Sequence, residues 1–327
     1  MPPYHVAFCV VPDFPLASLA IGLDVLRVTN RITDRSVFRW TILSRDGQPV
    51  RASTGTTIMI DGSLASGRRA PRVDDCPDMV FMVAGLDVER YAFAEIKRWL
   101  GRVHGLGAAI GGISAGPYIL AAAGLLDDRS CTIHWENMSA FTERFPLARV
   151  KPQLWVIDGD IHTCGGSSSV MDLMLQIVAR HTDAQTAGKV AEQCLVTTIR
   201  RPEDSQRAPI GPHTTNAHPV IAAASRIMER RIEEPLALKR LAGKVGLSLR
   251  QIERLFDDEL GQSPAGYYRN LRLERAKHLL AQTMMPVLEV GLACGFASAA
   301  HFSKSYRKQF GQAPTDFRRL HRARPAR

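Results

Sequence analysis

The run Gly112-Ile113-Ser114-Ala115-Gly116 sets a serine between two glycines, at the end of an apolar stretch and ahead of an apolar helix. That is the context of a nucleophile elbow, a tight corner that holds a hydroxyl out for acyl transfer or hydrolysis. Serine at such a corner reacts only with a base to take its proton and an acid to orient that base. His134 and His162 are the candidate bases, with Asp158, Asp160 or Asp172 as orienters, and Ser114, Asp158 and His162 follow one another in an order used by serine hydrolases. Asp158 and His162 nevertheless fall within one short predicted hairpin, and no glycine-rich oxyanion segment precedes the motif. A serine-dependent hydrolase or lyase with Ser114 as nucleophile is therefore the alternative reading, not the leading one.

A second constellation has a different chemistry. Residues 238–248 and 287–296 each read as a short helix and a glycine turn, followed by a second helix opened by Ser248 or Ser298 as N-cap. This is the helix-turn-helix pattern, whose second helix enters the major groove of double-stranded DNA. In the first copy Ile252, Leu255 and Phe256 form the inward stripe and leave Arg250, Gln251, Glu253 and Arg254 facing outward. Arginine suits guanine edges and glutamate suits cytosine N4. In the second copy Phe302 and Tyr306 point inward, while Ala299, Ala300, His301, Lys304 and Arg307 face the groove; the small alanines permit close approach to thymine methyls. Ser248 and Ser298 are expected to add phosphate contacts at their helix N-termini.

Ser263-Pro264 opens the helix between the two copies, and Tyr267, Leu271, Leu273, Ala276, Leu279 and Leu280 carry it to about Ala281. At about 1.5 Å per residue it is a rod of roughly 28 Å. Successive major grooves on one face of DNA lie about 34 Å apart. One chain is thus expected to address two adjacent grooves.

Positioning these groups takes two units. Strand-like runs at 6–11, 38–43, 79–84 and 107–112 alternate with helix-like runs at 16–28 and 88–103, which predicts an α/β layer structure on a largely parallel sheet. A hairpin at 154–157 and 161–164 follows, then helices at 170–180 and 184–195. Residues 199–217 are polar, proline-bearing and without apolar period, so they read as a linker between a first domain over 1–198 and a wholly helical one over 218–322.

Charge follows the same division. Of the 42 Lys+Arg and 32 Asp+Glu that give a net +10, residues 218–327 hold 20 and 10, so the whole positive excess lies in the helical part. There it can neutralise phosphates. A composition of 45% hydrophobic and 23% charged residues is ordinary for a globular chain and argues against disorder. The sequence has no apolar run of about 18 residues and no basic leader at its start, so a cytoplasmic protein without membrane contact is expected. The six cysteines form no C-x-x-C pair and sit mostly in apolar segments; they are expected as reduced, buried thiols, with no metal or cofactor site.

Residues 218–322 resemble the AraC/XylS-type DNA-binding domain. The resemblance rests on Gly246-Leu247-Ser248, Arg254-Leu255-Phe256, Gly261-Gln262-Ser263-Pro264, Leu271-Arg272-Leu273-Glu274-Arg275-Ala276, Ala293-Cys294-Gly295-Phe296, His301-Phe302-Ser303 and Phe310-Gly311-Gln312-Ala313-Pro314. It implies a bacterial transcription regulator, usually an activator. Two departures stand out: Gly291 replaces the usual alanine, at about 1 kcal/mol of helix propensity, and Ala300 replaces a frequent serine, which puts that contact in doubt.

Residues 4–195 resemble the class I glutamine amidotransferase-like fold of the PfpI group, which is fused to an AraC-type domain in GlxA-family regulators. Gly111-Gly112-Ile113-Ser114-Ala115-Gly116, Ala123-Gly124-Leu125-Leu126-Asp127, Ile133-His134-Trp135-Glu136, Phe145-Pro146 and Ile157-Asp158-Gly159-Asp160 carry this resemblance. Enzymes of that superfamily have cysteine at the elbow. Ser114 lacks the low-pKa thiolate, so the resemblance implies an elbow kept as a ligand pocket rather than a catalyst.

In that pocket the backbone at Ser114 and Ala115 is expected to meet an anionic group. Asp24, at a site usually carrying glutamate, is expected to face a cationic group, with His134 and Trp135 as a wall and Trp135 offering a cation–π face. Such a pocket suits a small zwitterionic effector: an amino acid, betaine or related amine. The expected partners are promoter DNA, RNA polymerase and a second copy of the chain in a homodimer, with the linker passing a ligand-driven shift to the DNA-binding domains.

Overall fold

Runs of consecutive apolar residues can be buried only where both faces are covered, and such runs form the inner strands of a parallel sheet. The computed structural model describes residues 2–64, 76–85, 87–91, 94–206, 218–283 and 285–322. It divides into two units, Met1–Gln206 and Arg207–Arg327.

The first unit runs β1 (Tyr4–Val10), α1 (Leu16–Thr33), β2 (Phe38–Ser44), β3 (Val50–Arg51), β4 (Thr57–Ile58), β5 (Gly62–Ser63), β6 (Met79–Ala84), a 3-10 turn (Val88–Tyr91), α2 (Ala94–Gly105) and β7 (Ala109–Ser114). It continues α3 (Gly116–Ala122), β8 (Ser130–Cys131), α4 (Trp135–Arg144), β9 (Arg149–Val150), β10 (Trp155–Asp158), β11 (Ile161–Cys164), α5 (Ser169–His181) and α6 (Ala184–Gln193). Seven strands form one sheet in the order β10-β11-β7-β6-β1-β2-β5. Its neighbours pair in parallel except β10 and β11, which form the predicted antiparallel hairpin. Two pieces replace the single helix expected over 88–103, the 3-10 turn and α2.

Alternation along β1 and β6 feeds two cores. Val6, Phe8, Val10, Phe81 and Val83 pack under α1, α5 and α6 with Leu19, Leu173 and Val190. Ala7, Cys9, Val80, Met82 and Ala84 face the opposite way, against Leu100 of α2, Ile119 of α3 and Phe141 of α4. The connection from β1 goes to one side, to β2, while β6 pairs on the other. The strand order therefore reverses at β1 and β6, the place where ligands bind open α/β sheets, outside the carboxyl ends of the strands.

The segment expected as linker from residue 199 is partly docked on the first unit. Leu154 N–H donates to the Pro202 carbonyl at 2.9 Å, and Arg200 pairs with Asp172 at 2.6 Å. Residues 207–217 of that linker lie outside the described residues.

The second unit is α7 (Pro219–Arg230), α8 (Leu238–Lys244), α9 (Leu249–Leu260), α10 (Pro264–Gln282), α11 (Val287–Ala293), α12 (Ala299–Phe310) and α13 (Pro314–Arg322). It holds two cores on one rod. Tyr267, Tyr268 and Leu271, in the first half of α10, join Ile221, Leu241, Ile252 and Phe256. Leu273, Ala276, Leu279 and Leu280, further along, join Val290, Phe296, Phe302 and Tyr306. Ser263 caps α10 by accepting from the Gly266 N–H at 3.1 Å, with Pro264 at the first helical position.

Arg272 fastens the second core. It donates to the Cys294 carbonyl at 2.8 Å and the Gly295 carbonyl at 2.6 Å, and its guanidinium lies 4.2 Å from the centre of the Phe296 ring. Gly295 itself has φ +71°, and a Cβ there would lie 2.5 Å from the Ile232 carbonyl oxygen. Gly291, the departure noted above, sits under Phe302, whose ring a Cβ would approach to 3.1 Å. The missing methyl is thus partly offset by room for that ring. Among the described residues, no helix is long and apolar enough to cross a membrane.

Candidate functional site

Strand β7 ends at Ser114 with φ +60°, a left-handed conformation that costs a non-glycine residue roughly 1–2 kcal/mol. The flanking glycines make the corner possible. A Cβ on Gly112 would lie 2.6 Å from the Pro117 nitrogen, and one on Gly116 would lie 2.0 Å from the Met82 carbonyl oxygen, so only glycine lets α3 settle this close. Ser114 has counterparts on neighbouring loops. Asp13 after β1, Asp87 after β6 and Ser167 after β11 also have φ of 60°, 60° and 50°. Four adjacent strands, β11-β7-β6-β1, thus each lead into a strained non-glycine residue at the carboxyl edge. Strained residues of this kind cluster at functional sites, although Asp34, Asp128 and Leu195 have the same sign of φ away from this edge.

The acidic side of this edge is not where the sequence reading put it. Asp24 lies on an exposed face of α1 in an ion pair with Arg27 at 2.6 Å. Ser18 of α1 reaches the edge instead: it is fully buried, and its Oγ accepts from the Ser167 N–H at 2.7 Å. Six helical residues separate Ser18 from Asp24, about 9 Å along the axis and about 240° around it, so the two side chains leave on different faces. The carboxylates beside the switch point are Asp13, whose Oδ2 accepts from the Tyr91 hydroxyl at 3.2 Å, and Glu89. Burial pushes the Glu89 carboxyl up from its ordinary pKa.

Ser114 is half-buried and Ala115 buried. The Ala115 N–H already donates to the Ala84 carbonyl at 3.0 Å, which removes one of the donors expected to meet an anion. His134 caps α4, and Trp135 is that helix's first residue. The His134 N–H donates to the Ser114 carbonyl at 3.1 Å, so the two residues adjoin. Its Nδ1 accepts from the Glu136 N–H at 3.4 Å, which assigns the ring proton to Nε2. Burial lowers the pKa of this imidazole. The lowered pKa keeps the ring neutral near pH 7, with its proton on Nε2. The Trp135 ring lies tilted against it at 5.6 Å.

The remaining triad candidates do not assemble. His162 pairs in register with Gly111, three residues or about 10 Å along the strand from Ser114. Its ring lies 3.4 Å from Arg180, and burial lowers its pKa to about 4. Asp158 accepts from the Ser130 N–H at 2.6 Å. Asp160, against the desolvation that opposes it, is held at a pKa of about 2 by hydrogen bonds from Arg129 and His104, each at 2.6 Å. Asp172 is 2% exposed and paired with Arg200.

In the helical unit, the stripes read from the sequence separate as predicted. Ile252 and Phe256 are fully buried, and Arg250, Gln251, Glu253 and Arg254 are exposed. Those four residues line one open groove with Ser248, Asp257 and Ser263. Gln251 also has a second task that its S-x-x-Q spacing could have revealed. Its N–H donates to Ser248 Oγ at 3.3 Å, and its Oε1 accepts from the Ser248 N–H at 2.9 Å, forming a capping box at the start of α9. In α12, Phe302 and Tyr306 are fully buried, and Ser298, Ala299, Ala300, His301, Lys304 and Arg307 are exposed. Ser298 Oγ accepts from the His301 N–H at 3.2 Å, and the His301 ring meets Phe296 edge-on at 5.6 Å.

A parallel-sheet domain with a serine elbow, joined to a helical unit with two exposed reading helices, defines a DNA-binding transcriptional regulator with an amidotransferase-like first domain. Comparison with known proteins agrees. The DJ-1/PfpI family matches residues 5–180, and a helix-turn-helix domain family matches residues 241–320. The chain is 37% identical to the HTH-type transcriptional regulator CdhR of Pseudomonas aeruginosa over 311 residues, 95% of this chain and 90% of that one. It is 34% identical to the HTH-type transcriptional regulator GlxA of Rhizobium meliloti over 316 residues, 96% and 95% of the two chains. The solved structure of an AraC family transcriptional regulator from Pseudomonas putida matches with a TM-score of 0.52 at 30% identity, covering 59% of this chain and 100% of that one. The chain belongs to the family of HTH-type transcriptional regulators in which a DJ-1/PfpI domain precedes an AraC-type helix-turn-helix domain.

Proposed function

We propose that this regulator binds a small zwitterionic metabolite at the carboxyl edge of its sheet and, as a homodimer, activates transcription from a promoter site. The observation that carries the reading is the set of four left-handed residues, Asp13, Asp87, Ser114 and Ser167, that follow four adjacent strands at one edge of the sheet. Asp13 and Glu89, with Tyr91, offer an acidic and aromatic side to a cationic nitrogen. The His134 ring and the Ser114 hydroxyl offer donors to a carboxylate. An amino acid, betaine or related amine has both ends.

On the DNA, Arg250, Glu253 and Arg254 of α9 and Ala299, Ala300, His301, Lys304 and Arg307 of α12 meet bases or phosphates in two successive major grooves. Contact with RNA polymerase completes activation. Effector binding shifts the placement of the DNA-binding units by its differential affinity for two arrangements.

Thermal melting of the full chain with amino acids, betaines and polyamines tests the effector class. A ligand at about a hundred times its Kd adds about 2.7 kcal/mol to the stability of the state it binds. If no amine raises the melting temperature, the effector class is wrong. If duplexes selected from random DNA carry no paired motif about one helical turn apart, the two-groove reading fails.

A further inference from the structure

The segment that leads from α6 toward the DNA-binding unit is fastened to the first unit at three points. Arg200 donates from its backbone N–H, Nε and Nη2 to the buried Asp172 carboxylate, and its guanidinium reaches Ser168 Oγ at 3.0 Å. The Pro202 carbonyl accepts from the Leu154 N–H at 2.9 Å. The third point is Gln206. Its Nε2 donates its two hydrogens to the Gln153 carbonyl at 2.6 Å and the Ile133 carbonyl at 3.1 Å and lies 3.1 Å from the Thr132 hydroxyl, while its Oε1 accepts from the Trp135 N–H at 2.9 Å. Gly165 forms the floor of this cradle. A Cβ there would lie 2.6 Å from Oε1, 2.7 Å from Cδ and 2.9 Å from Nε2 of Gln206.

The donor and acceptor set admits one chemistry. The Ile133 and Gln153 carbonyls can only accept, and the Trp135 N–H can only donate, so a carboxamide fits in a single orientation. A carboxylate would set an oxygen against both carbonyls. The walls of the cradle are also the loops that frame the elbow. His134, next to Trp135, donates its N–H to the Ser114 carbonyl at 3.1 Å. Gly166, next to Gly165, lies so near that a Cβ on it would be 2.5 Å from the Ser114 Cβ.

We propose that this cradle is a primary-carboxamide site, filled in cis by Gln206, that clasps the interdomain connection to the two loops framing Ser114. A molecule that displaces either loop opens the clasp and frees the connection. The coupling of clasp to effector rests on the effector reading above; the carboxamide site does not.

Hydrogen exchange and DNA binding of the full chain test it, with acetamide as the probe and acetate as its charged isostere. In Gln206→Ala, Gln206→Glu and Gly165→Ala, the Trp135 amide should exchange about tenfold faster or more, the order expected for one lost hydrogen bond. Acetamide should restore protection in Gln206→Ala and not in Gly165→Ala, where the added methyl occupies the floor. Acetate should restore it in neither. Unchanged Trp135 exchange in Gln206→Ala, or equal rescue by acetate, overturns the site. Gln206→Ala should also change affinity for a selected duplex about threefold or more, as lengthening a tether does, and acetamide, which is not joined to the chain, should leave that change in place. Deprotected Trp135 with unchanged DNA affinity overturns the clasp as a link. Failure of every amine to stabilise the chain, with acetamide rescue intact, instead refutes the effector reading.

Discussion

Replacing Arg272 with alanine should cripple the second reading helix while sparing the first. The side chain makes two charge-assisted hydrogen bonds, to the Cys294 and Gly295 carbonyls, and stacks on Phe296 at 4.2 Å. Hydrogen bonds to charged groups contribute about 1.5–3 kcal/mol each, and a cation–π contact about 0.5–2. Arg272 is only partly buried, so water can reach part of what it leaves, and the net loss is set at about 2–4 kcal/mol. For a unit of this size that corresponds to a fall in melting temperature of roughly 10–20 °C. Arg272→Lys, with one compact donor in place of the fork, should lose about half as much.

Calorimetry of the full chain reads the stability, and gel shifts on duplexes carrying one or both half-sites read the function. Binding to the half-site contacted by α12 should fall, whereas α9 stands on a separate core and should keep its half-site. A fall in melting temperature of less than about 3 °C, or equal weakening at both half-sites, refutes the view that Arg272 positions the second helix.

Gly295→Ala should destabilise the same core by about 2 kcal/mol or more, because it combines a left-handed φ with a Cβ 2.5 Å from a carbonyl oxygen; thermal melting checks it. Arg254→Ala should relax base preference at one position by about 1–3 kcal/mol, whereas Arg307→Ala, if it meets phosphate, should weaken all duplexes alike and reduce the salt slope by about one. Binding titrations across salt separate the two. His162 should make the first unit acid-sensitive. Its folded pKa of about 4 lies below the unfolded 6.5, so the unfolded chain takes up the proton first. Stability is fully present above pH 6.5 and declines as pH falls toward 4, by about 3 kcal/mol at most. His162→Gln should flatten that part of the melting curve against pH; an unchanged slope counts against the assignment.

Local order could be read from residue types alone. The elbow glycines, the serine N-caps, the Ser263-Pro264 start and the inward stripes of α9 and α12 depend on neighbours within a few residues, and the structure has all of them. The capping box was equally legible, since its two partners stand three apart. Charge division was legible too, because it needs only counting.

What lies beside what was not. Asp24 and Ser18 share a helix, and only the packing of α1 against the sheet decides which one meets the β11 loop. Gln206 carries no local signal, because its four partners come from positions 53 to 74 residues away in the chain. The order of strands, which brings Asp13, Asp87, Ser114 and Ser167 to one edge, is likewise set by pairing between distant segments. The sequence by itself determined that there are two units, an elbow and two reading helices, because periodicity and turn chemistry act over a few residues. Tertiary structure alone decided which side chains meet at the carboxyl edge of the sheet and how Gln206 holds the connection to the DNA-binding unit, because long-range hydrogen bonds and close packing exist only once the sheet has formed.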